Sequence, residues 1–119
     1  MISVGVDMVE IERVESAVKR WRGRFLNRIY TEAELKICGN SISSLATRFA
    51  AKEAMMKVLG TGAKGVNWQE IEILADDADK PIINLYGKAA NKAHDLNLSE
   101  FSVSLCDTRQ YAIATAIGA

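Results

Sequence analysis

The apolar positions of this chain keep two rhythms. The stretch "ISVGVDMV" (Ile2–Val9) is short, β-branched and apolar, and predicts a buried strand ending near Asp7. From Glu10 to Arg20 the rhythm changes, with Ile11, Val14, Ala17 and Val18 recurring at helical spacing. Thr31 stands three residues before Glu34, the spacing of a capping box, so a short helix begins there. Ser41, Ser43 and Ser44 offer N-caps to a long helix that runs through Leu59 and stops at Gly60-Thr61-Gly62. Farther on, "WQEIEIL" alternates as a strand with Ile71 and Ile73 on one face, Asp76–Pro81 is turn-rich, and "PIINLYG" reads as a second strand. Lys88–Leu96 reads as a helix, and "FSVSL" and "YAIATAI" close the chain as strands around a turn at Asp107–Gln110. The order strand, three helices, two strands, helix, two strands predicts an α+β fold. Its expected form is a small, mostly antiparallel sheet packed with a long central helix and shorter helices.

A length of 119 residues makes residues 1–119 one expected domain. Fifteen basic and fifteen acidic residues cancel, so net charge gives no reason to expect a nucleic acid or a membrane surface as partner. Cys38 and Cys106 have no metal-site spacing and read as free thiols in a reducing compartment. No apolar run approaches the ~20 residues of a membrane span. The first residues, "MISVGVDMVEIERV", carry acids where a signal peptide wants positive charge, so the expected location is cytoplasmic. So small a chain buries a limited share of its surface, which makes oligomerisation a natural expectation.

The chemistry concentrates in "RFAAKEAMMKVLGTG" (Arg48–Gly62), where charge is spread round an apolar helix. At ~100° per residue, Glu53 falls between Phe49 and Met56 on one side and Ala46, Ala50 and Lys57 on the other. Arg48 and Lys52 share a different face with Leu45, Met55 and Leu59. A carboxylate on a largely buried face needs a partner, because an unpaired buried charge costs several kcal/mol. Two partners are open. One is Lys57 at i,i+4. The other is a hard cation, with Arg48, Lys52 and Lys57 gathered to neutralise phosphates and glycines that let a ligand approach the backbone. Asp7 supplies a second acid at the end of an otherwise apolar strand. It reads as a turn or capping residue, or as the second ligand of Mg²⁺, which takes one or two carboxylates and completes its shell with water and phosphate oxygens. The latter arrangement suits phosphoryl transfer.

Together, "GVDMVEIERV", "RFLNRIYTEAEL", "LATRFAAKEAMMKVLGTG", "WQEIEI" and the closing "SVSL" and "YAIATAI" resemble the holo-[acyl-carrier-protein] synthase family of 4′-phosphopantetheinyl transferases, end to end and in order. The resemblance implies transfer of 4′-phosphopantetheine from coenzyme A to a serine of apo acyl carrier protein, with adenosine 3′,5′-bisphosphate released. It implies Mg²⁺ held by Asp7 and Glu53, and phosphates bound by Arg48, Lys52 and Lys57. Lys57 would also stabilise or protonate the leaving group, and the serine's base would be Glu53 or a water on the cation. Gly60, Gly62, Ser104, Asp107 and Thr108 fall where the family contacts coenzyme A. Arg13 and Arg24 fall where it meets the acidic carrier protein, and the family's usual assembly is a homotrimer with sites between subunits. Whether the carrier protein serves fatty-acid or polyketide synthesis stays open.

The chain departs from that pattern in its last hairpin. Where the family usually reads S-x-S-H-T, this chain has Ser104-Leu105-Cys106-Asp107-Thr108. An anion replacing histidine near phosphates weakens binding unless a cation compensates, and Arg109 is the expected compensation. The usual glycine before Lys-Pro is Asp79 here, which reads as turn variation. His94, the sole histidine, is expected on a surface helix away from the chemistry. The departures leave a second function open, a homologue that binds carrier protein or coenzyme A without efficient transfer.

Overall fold

Strand β1 (Ser3–Glu10) passes directly into helix α1 (Ile11–Trp21) in the computed structural model, which describes Met1–Ala119. Helices α2 (Gly23–Ile29), α3 (Glu32–Cys38) and α4 (Ile42–Leu59) follow. A 3-10 turn at Trp68–Glu70 leads into β2 (Ile71–Ala75), β3 (Pro81–Leu85), α5 (Gly87–Asp95), β4 (Phe101–Asp107) and β5 (Tyr111–Gly118). The result is the expected α+β fold, with every strand pair antiparallel.

The strands form two sheets rather than one. β5 lies between β1 and β4, while β2 and β3 pair separately. Four helices, not three, precede β2. The additional one, α2, shows its own signal in Phe25, Leu26 and Ile29 at helical spacing. It was hidden by its seven-residue length and by a start without a side-chain cap, where Arg22 takes φ 45°. β1 also continues past Asp7 to Glu10, because the register with β5 runs on through Val9↔Ala112 and Glu10↔Tyr111. Asp7 therefore sits mid-strand, opposite Ala114, and caps nothing.

Local rules account for the other boundaries. Thr31 Oγ1 accepts from the Glu34 amide while Glu34 Oε1 accepts from the Thr31 amide, the predicted capping box of α3. Ser41 is the N-cap of α4, accepting from the Ser44 amide at 3.2 Å, and Gly60 closes the helix in the left-handed region at φ 68°. α4 is buried nearly all round and belongs to both apolar clusters. Ala50, Ala54, Met55 and Val58 meet Ile71, Ile73, Val103 and Ala114 in one, and Leu45 and Ala46 meet Val14, Ile29 and Tyr30 in the other. The inner face of the β1–β5–β4 sheet rests on this helix. Its outer face leaves Val4, Val6, Met8 and Ile117 exposed, Val6 by 56% and Met8 by 60%.

Candidate functional site

Alternation along β1 turns Ser3, Gly5 and Asp7 toward α4 while Val4, Val6 and Met8 face outward. Ser3 Oγ donates to the Val58 carbonyl at 2.8 Å, and Gly5 packs directly on the Ala54 backbone. Lys57 Nζ donates to the Val6 carbonyl at 2.7 Å and to Asp7 Oδ1 at 3.3 Å. Strand and helix are thus joined over about one turn of α4, from Ala54 to Val58, and Asp7 is carried to the level of Glu53 and Lys57.

The i,i+4 pair of Glu53 with Lys57 does not form, because Lys57 is drawn across to β1 instead. Glu53 makes no side-chain hydrogen bond or ion pair of its own. It is half-buried and lines, with Asp7 and Arg13, a cleft of about 450 Å³. Val14, Ala17, Phe25, Phe49 and Tyr111 supply the apolar wall. Phe49 is fixed there by stacking on Trp68 at 4.8 Å between centroids and on Phe25 at 6.2 Å. Burial pushes the Glu53 carboxyl above its usual range, the charge of Asp7 adds to this, and Lys57 and Arg13 only partly offset it. Two acids on one cleft, with the Glu53 carboxyl raised beside Asp7, are a donor set short of a cation. No third His, Cys, Asp or Glu joins them, so a bound ion would draw its remaining ligands from outside the protein. Oxygen-only ligands suit Mg²⁺ in that role.

A second concavity lies on another face of α4. This groove of about 700 Å³ is lined by Ser44, Arg48, Asp79, Lys80, Ser102 and Ser104 among others. Arg48 is buried, with Nε donating to the Ile73 carbonyl at 3.1 Å. Asp79 takes φ 63° in its turn, a conformation Asp tolerates, while Asp76 Oδ1 accepts from the Ala78 and Lys80 amides. Arg48 and Glu53 are thus on one helix but in two separate concavities.

Lys52 is in neither. It is 0% exposed, and its three hydrogens go to Glu34 Oε1 at 2.8 Å, the Trp68 carbonyl at 3.0 Å and the Ile71 carbonyl. The expectation that Lys52 binds phosphate is therefore corrected, since nothing of its ammonium is left for a ligand. Its pKa is lowered by burial, against which Glu34 acts.

Gly60 and Gly62, at φ 68° and 60°, begin the loop after α4, and between them Thr61 Oγ1 is the one buried side-chain polar atom without a partner. Asp107 ends β4 exposed and unpaired. Thr108 Oγ1 accepts from the Gln110 and Tyr111 amides, and so builds the β4–β5 turn. Neither residue lines the cleft or the groove. Arg109 makes no ion pair with Asp107; it lines a small recess with Glu10 and Glu12, so the expected compensation is absent. Arg24 is exposed with its guanidinium 5.9 Å from the Trp21 ring centroid, and Arg20 lies over the same ring at 4.9 Å. His94 is exposed on α5, apart from both concavities. Sequence reasoning did not single out Phe25, Tyr111, Lys80 or Thr61. Only Phe49, one turn from Glu53 on the same face, carried a signal.

The family model of the 4′-phosphopantetheinyl transferase superfamily matches residues 3–116. A holo-[acyl-carrier-protein] synthase of Herpetosiphon aurantiacus is 44% identical, over 99% of this chain and 98% of its own. One of Dehalococcoides mccartyi is 47% identical, over 98% of each. Among solved structures, the Helicobacter pylori holo-[acyl-carrier-protein] synthase in complex with coenzyme A superposes with a TM-score of 0.89 at 32% identity, over 98% of this chain and 99% of that one. The Neisseria meningitidis enzyme superposes with a TM-score of 0.88 at 34% identity, over 100% and 99%.

Proposed function

This chain belongs to the holo-[acyl-carrier-protein] synthase family of 4′-phosphopantetheinyl transferases, and from that premise we propose its reaction and the residues that carry it. A serine oxygen of apo acyl carrier protein attacks the coenzyme A phosphorus next to the pantetheine. The bond from that phosphorus to adenosine 3′,5′-bisphosphate breaks, and the serine proton passes to a base. Positioning and charge neutralisation carry most of such a transfer. The observation that carries the proposal is the cleft where Asp7 and Glu53 converge with no donor on Glu53.

Asp7 and Glu53 would hold Mg²⁺, which supplies charge neutralisation for the pyrophosphate when bound. Lys57, already on Asp7, stands ready for a phosphate or leaving oxygen. Glu53, which lines the cleft without a donor of its own, or a water on the cation takes the serine proton. The Arg48–Ser104 groove takes the nucleotide end of coenzyme A. The orphan hydroxyl of Thr61, with Gly60 and Gly62, offers a backbone approach to phosphate oxygens. Arg13 at the cleft and Arg24 beside Trp21 meet an acidic carrier protein.

Cleft and groove open on different faces of α4, which supports a site completed between copies of the chain. The exposed apolar outer face of the β1–β5–β4 sheet supports their assembly as a homotrimer. Residues 1–119 form one domain in this reading, and the free thiols Cys38 and Cys106 accord with a cytoplasmic enzyme. No helix is long and apolar enough to cross a membrane.

A second reading has one observation on its side. Asp107 has no cation beside it, as a homologue that binds without efficient transfer would allow. Incubation with apo carrier protein, coenzyme A and Mg²⁺, followed by weighing the carrier protein, decides between them. The expected result is a mass gain of one phosphopantetheine; binding without that gain would sink the transferase reading.

A further inference from the structure

Arg48 and Lys52 stand one turn apart on α4, and both reach the backbone of β2. Arg48 Nε donates to the Ile73 carbonyl at 3.1 Å and Lys52 Nζ donates to the Ile71 carbonyl. Four helical residues rise about 6 Å and two strand residues about 6.6 Å, so the two cations match alternate carbonyls of one strand. A slip of β2 by one residue would forfeit both bonds. The strand is held from a third side as well. The Ile73 amide donates to Glu34 Oε2 at 2.9 Å, and Glu34 Oε1 accepts from Lys52 at 2.8 Å. Thr31, at the N-cap of α3, donates to Glu72 Oε2 at 2.6 Å.

Lys52 and Glu34 are each 0% exposed. A buried ion pair is weak evidence for stability, since a well-packed apolar pair does as well. Its particular property is that it demands one geometry. The geometry fixed here is that of β2, and β2 leads through its turn to Asp79 and Lys80, which line the same groove as Arg48 and Ser104.

We propose that the buried Lys52–Glu34 pair is a positioning element for donor binding. It locks β2 in register on α4, so that Arg48 and Lys80 hold their places around the groove that receives the nucleotide end of coenzyme A. Lys52 acts on the ligand only through β2. The proposal rests on the reading of that groove given under the proposed function.

The test is the double variant Lys52→Met/Glu34→Gln, which removes both charges and strands neither. The expected result is a folded protein whose KM for coenzyme A rises on the order of tenfold, with kcat and the KM for carrier protein within about twofold. Amides of Ile71–Ala75 should exchange hydrogen at least about tenfold faster, while those of β1 and β5 keep their rates. A folded double variant with the wild-type KM for coenzyme A would overturn the proposal. So would a variant that loses kcat and both KM values together, as general loosening would produce. If the double variant does not fold, Thr31→Val carries the test, since it removes the Thr31–Glu72 bond together with the N-cap of α3 at a partly exposed position. A KM for coenzyme A raised about threefold is expected there, and an unchanged one counts against the clamp. Absence of transfer by the wild-type protein would overturn the functional reading instead, and the exchange rates would still report on the clamp.

Discussion

A β-carbon on Gly5 would stand 2.1 Å from the Ala54 carbonyl oxygen and 3.0 Å from the β-carbon of Lys57. β1 and α4 therefore touch backbone to backbone, and Asp7 lies two residues beyond that contact. Gly5→Ala must push the strand off the helix. We expect a loss of about 1–3 kcal/mol from overpacking and a fall in kcat/KM on the order of 10²-fold from displacement of Asp7. Thermal unfolding and the carrier-protein transfer assay check the two effects. Destabilisation with wild-type transfer would show that this contact does not set the position of Asp7.

Glu53→Gln separates stability from activity. In the native protein Glu53 is held beside Asp7 without a donor, so neutralising it relieves a repulsion. Turnover should drop on the order of 10²-fold or more, while the Tm measured without Mg²⁺ stays level or rises. Added Mg²⁺ should raise the Tm of the wild type and leave that of the variant unmoved. Equal Mg²⁺ shifts in both proteins would remove Glu53 from the metal site.

Glu53 and Glu72 give opposite pH dependences. Burial and Asp7 raise the Glu53 carboxyl above 4.5, so the native state keeps a proton that the unfolded chain has released. Its contribution is fully present in acid and is lost as pH rises from 4.5 through the raised value. Glu72 behaves the other way. Burial would raise it, but hydrogen bonds from Thr31, Asn84 and Tyr86 and the charge of Lys52 outweigh burial and hold it below 4.5. Its contribution is present above 4.5 and is lost as pH falls through the lowered value. Urea unfolding from acid to neutral pH without Mg²⁺ should find Glu53→Gln gaining on the wild type as pH rises. Glu72→Gln should lose ground over the same range. Parallel curves would contradict both assignments.

Val6→Asp places a charge on the edge strand β1, between the exposed Val4 and Met8 of the apolar sheet face. Burying that charge between copies costs several kcal/mol. Sedimentation should find the wild type at three times the 13.1 kDa chain mass and the variant at the chain mass itself. Transfer should fall with assembly, by on the order of 10²-fold. A variant that remains trimeric and active would mean that another surface holds the copies together.

Asp107→His reverses the most marked departure of the last hairpin. Asp107 has no cation partner, and Arg109 lines a recess with Glu10 and Glu12 instead. Removing the anion should lower the KM for coenzyme A a few-fold, about 3 to 10, with kcat little changed and the gap narrowing in high salt. A KM insensitive to the substitution would put Asp107 outside the binding field altogether.

Local chemistry was the legible part of this chain. The Thr31–Glu34 capping box, the Ser41 cap and the Gly60 stop each depend on neighbours within four residues, and each stands where the spacing put it. The inward turn of Glu53 was also legible, because helical projection needs only the 100° step. Long-range pairing was not. Nothing near Lys52 announces Glu34, 18 positions away, so a buried structural cation looked like a ligand-binding one. Strand pairing fails to read for the same reason, since no local pattern says that β2 and β3 pair apart from the other three strands. Helix α2 was lost between these cases, too short and too weakly capped to stand out beside α1.

α4 carries Arg48, Glu53 and Lys57 while most of its other side chains are sealed inside the protein. Anyone redesigning donor or acceptor preference therefore has little freedom on the helix itself, where a new side chain meets packed neighbours before it meets a substrate. The adjustable positions are the exposed ones off the helix: Asp79 and Lys80 on the groove, and Cys106 through Arg109 in the last hairpin. The departures from the family pattern in this chain lie at those exposed positions, in Asp79, Cys106 and Asp107, where variation leaves the buried frame alone.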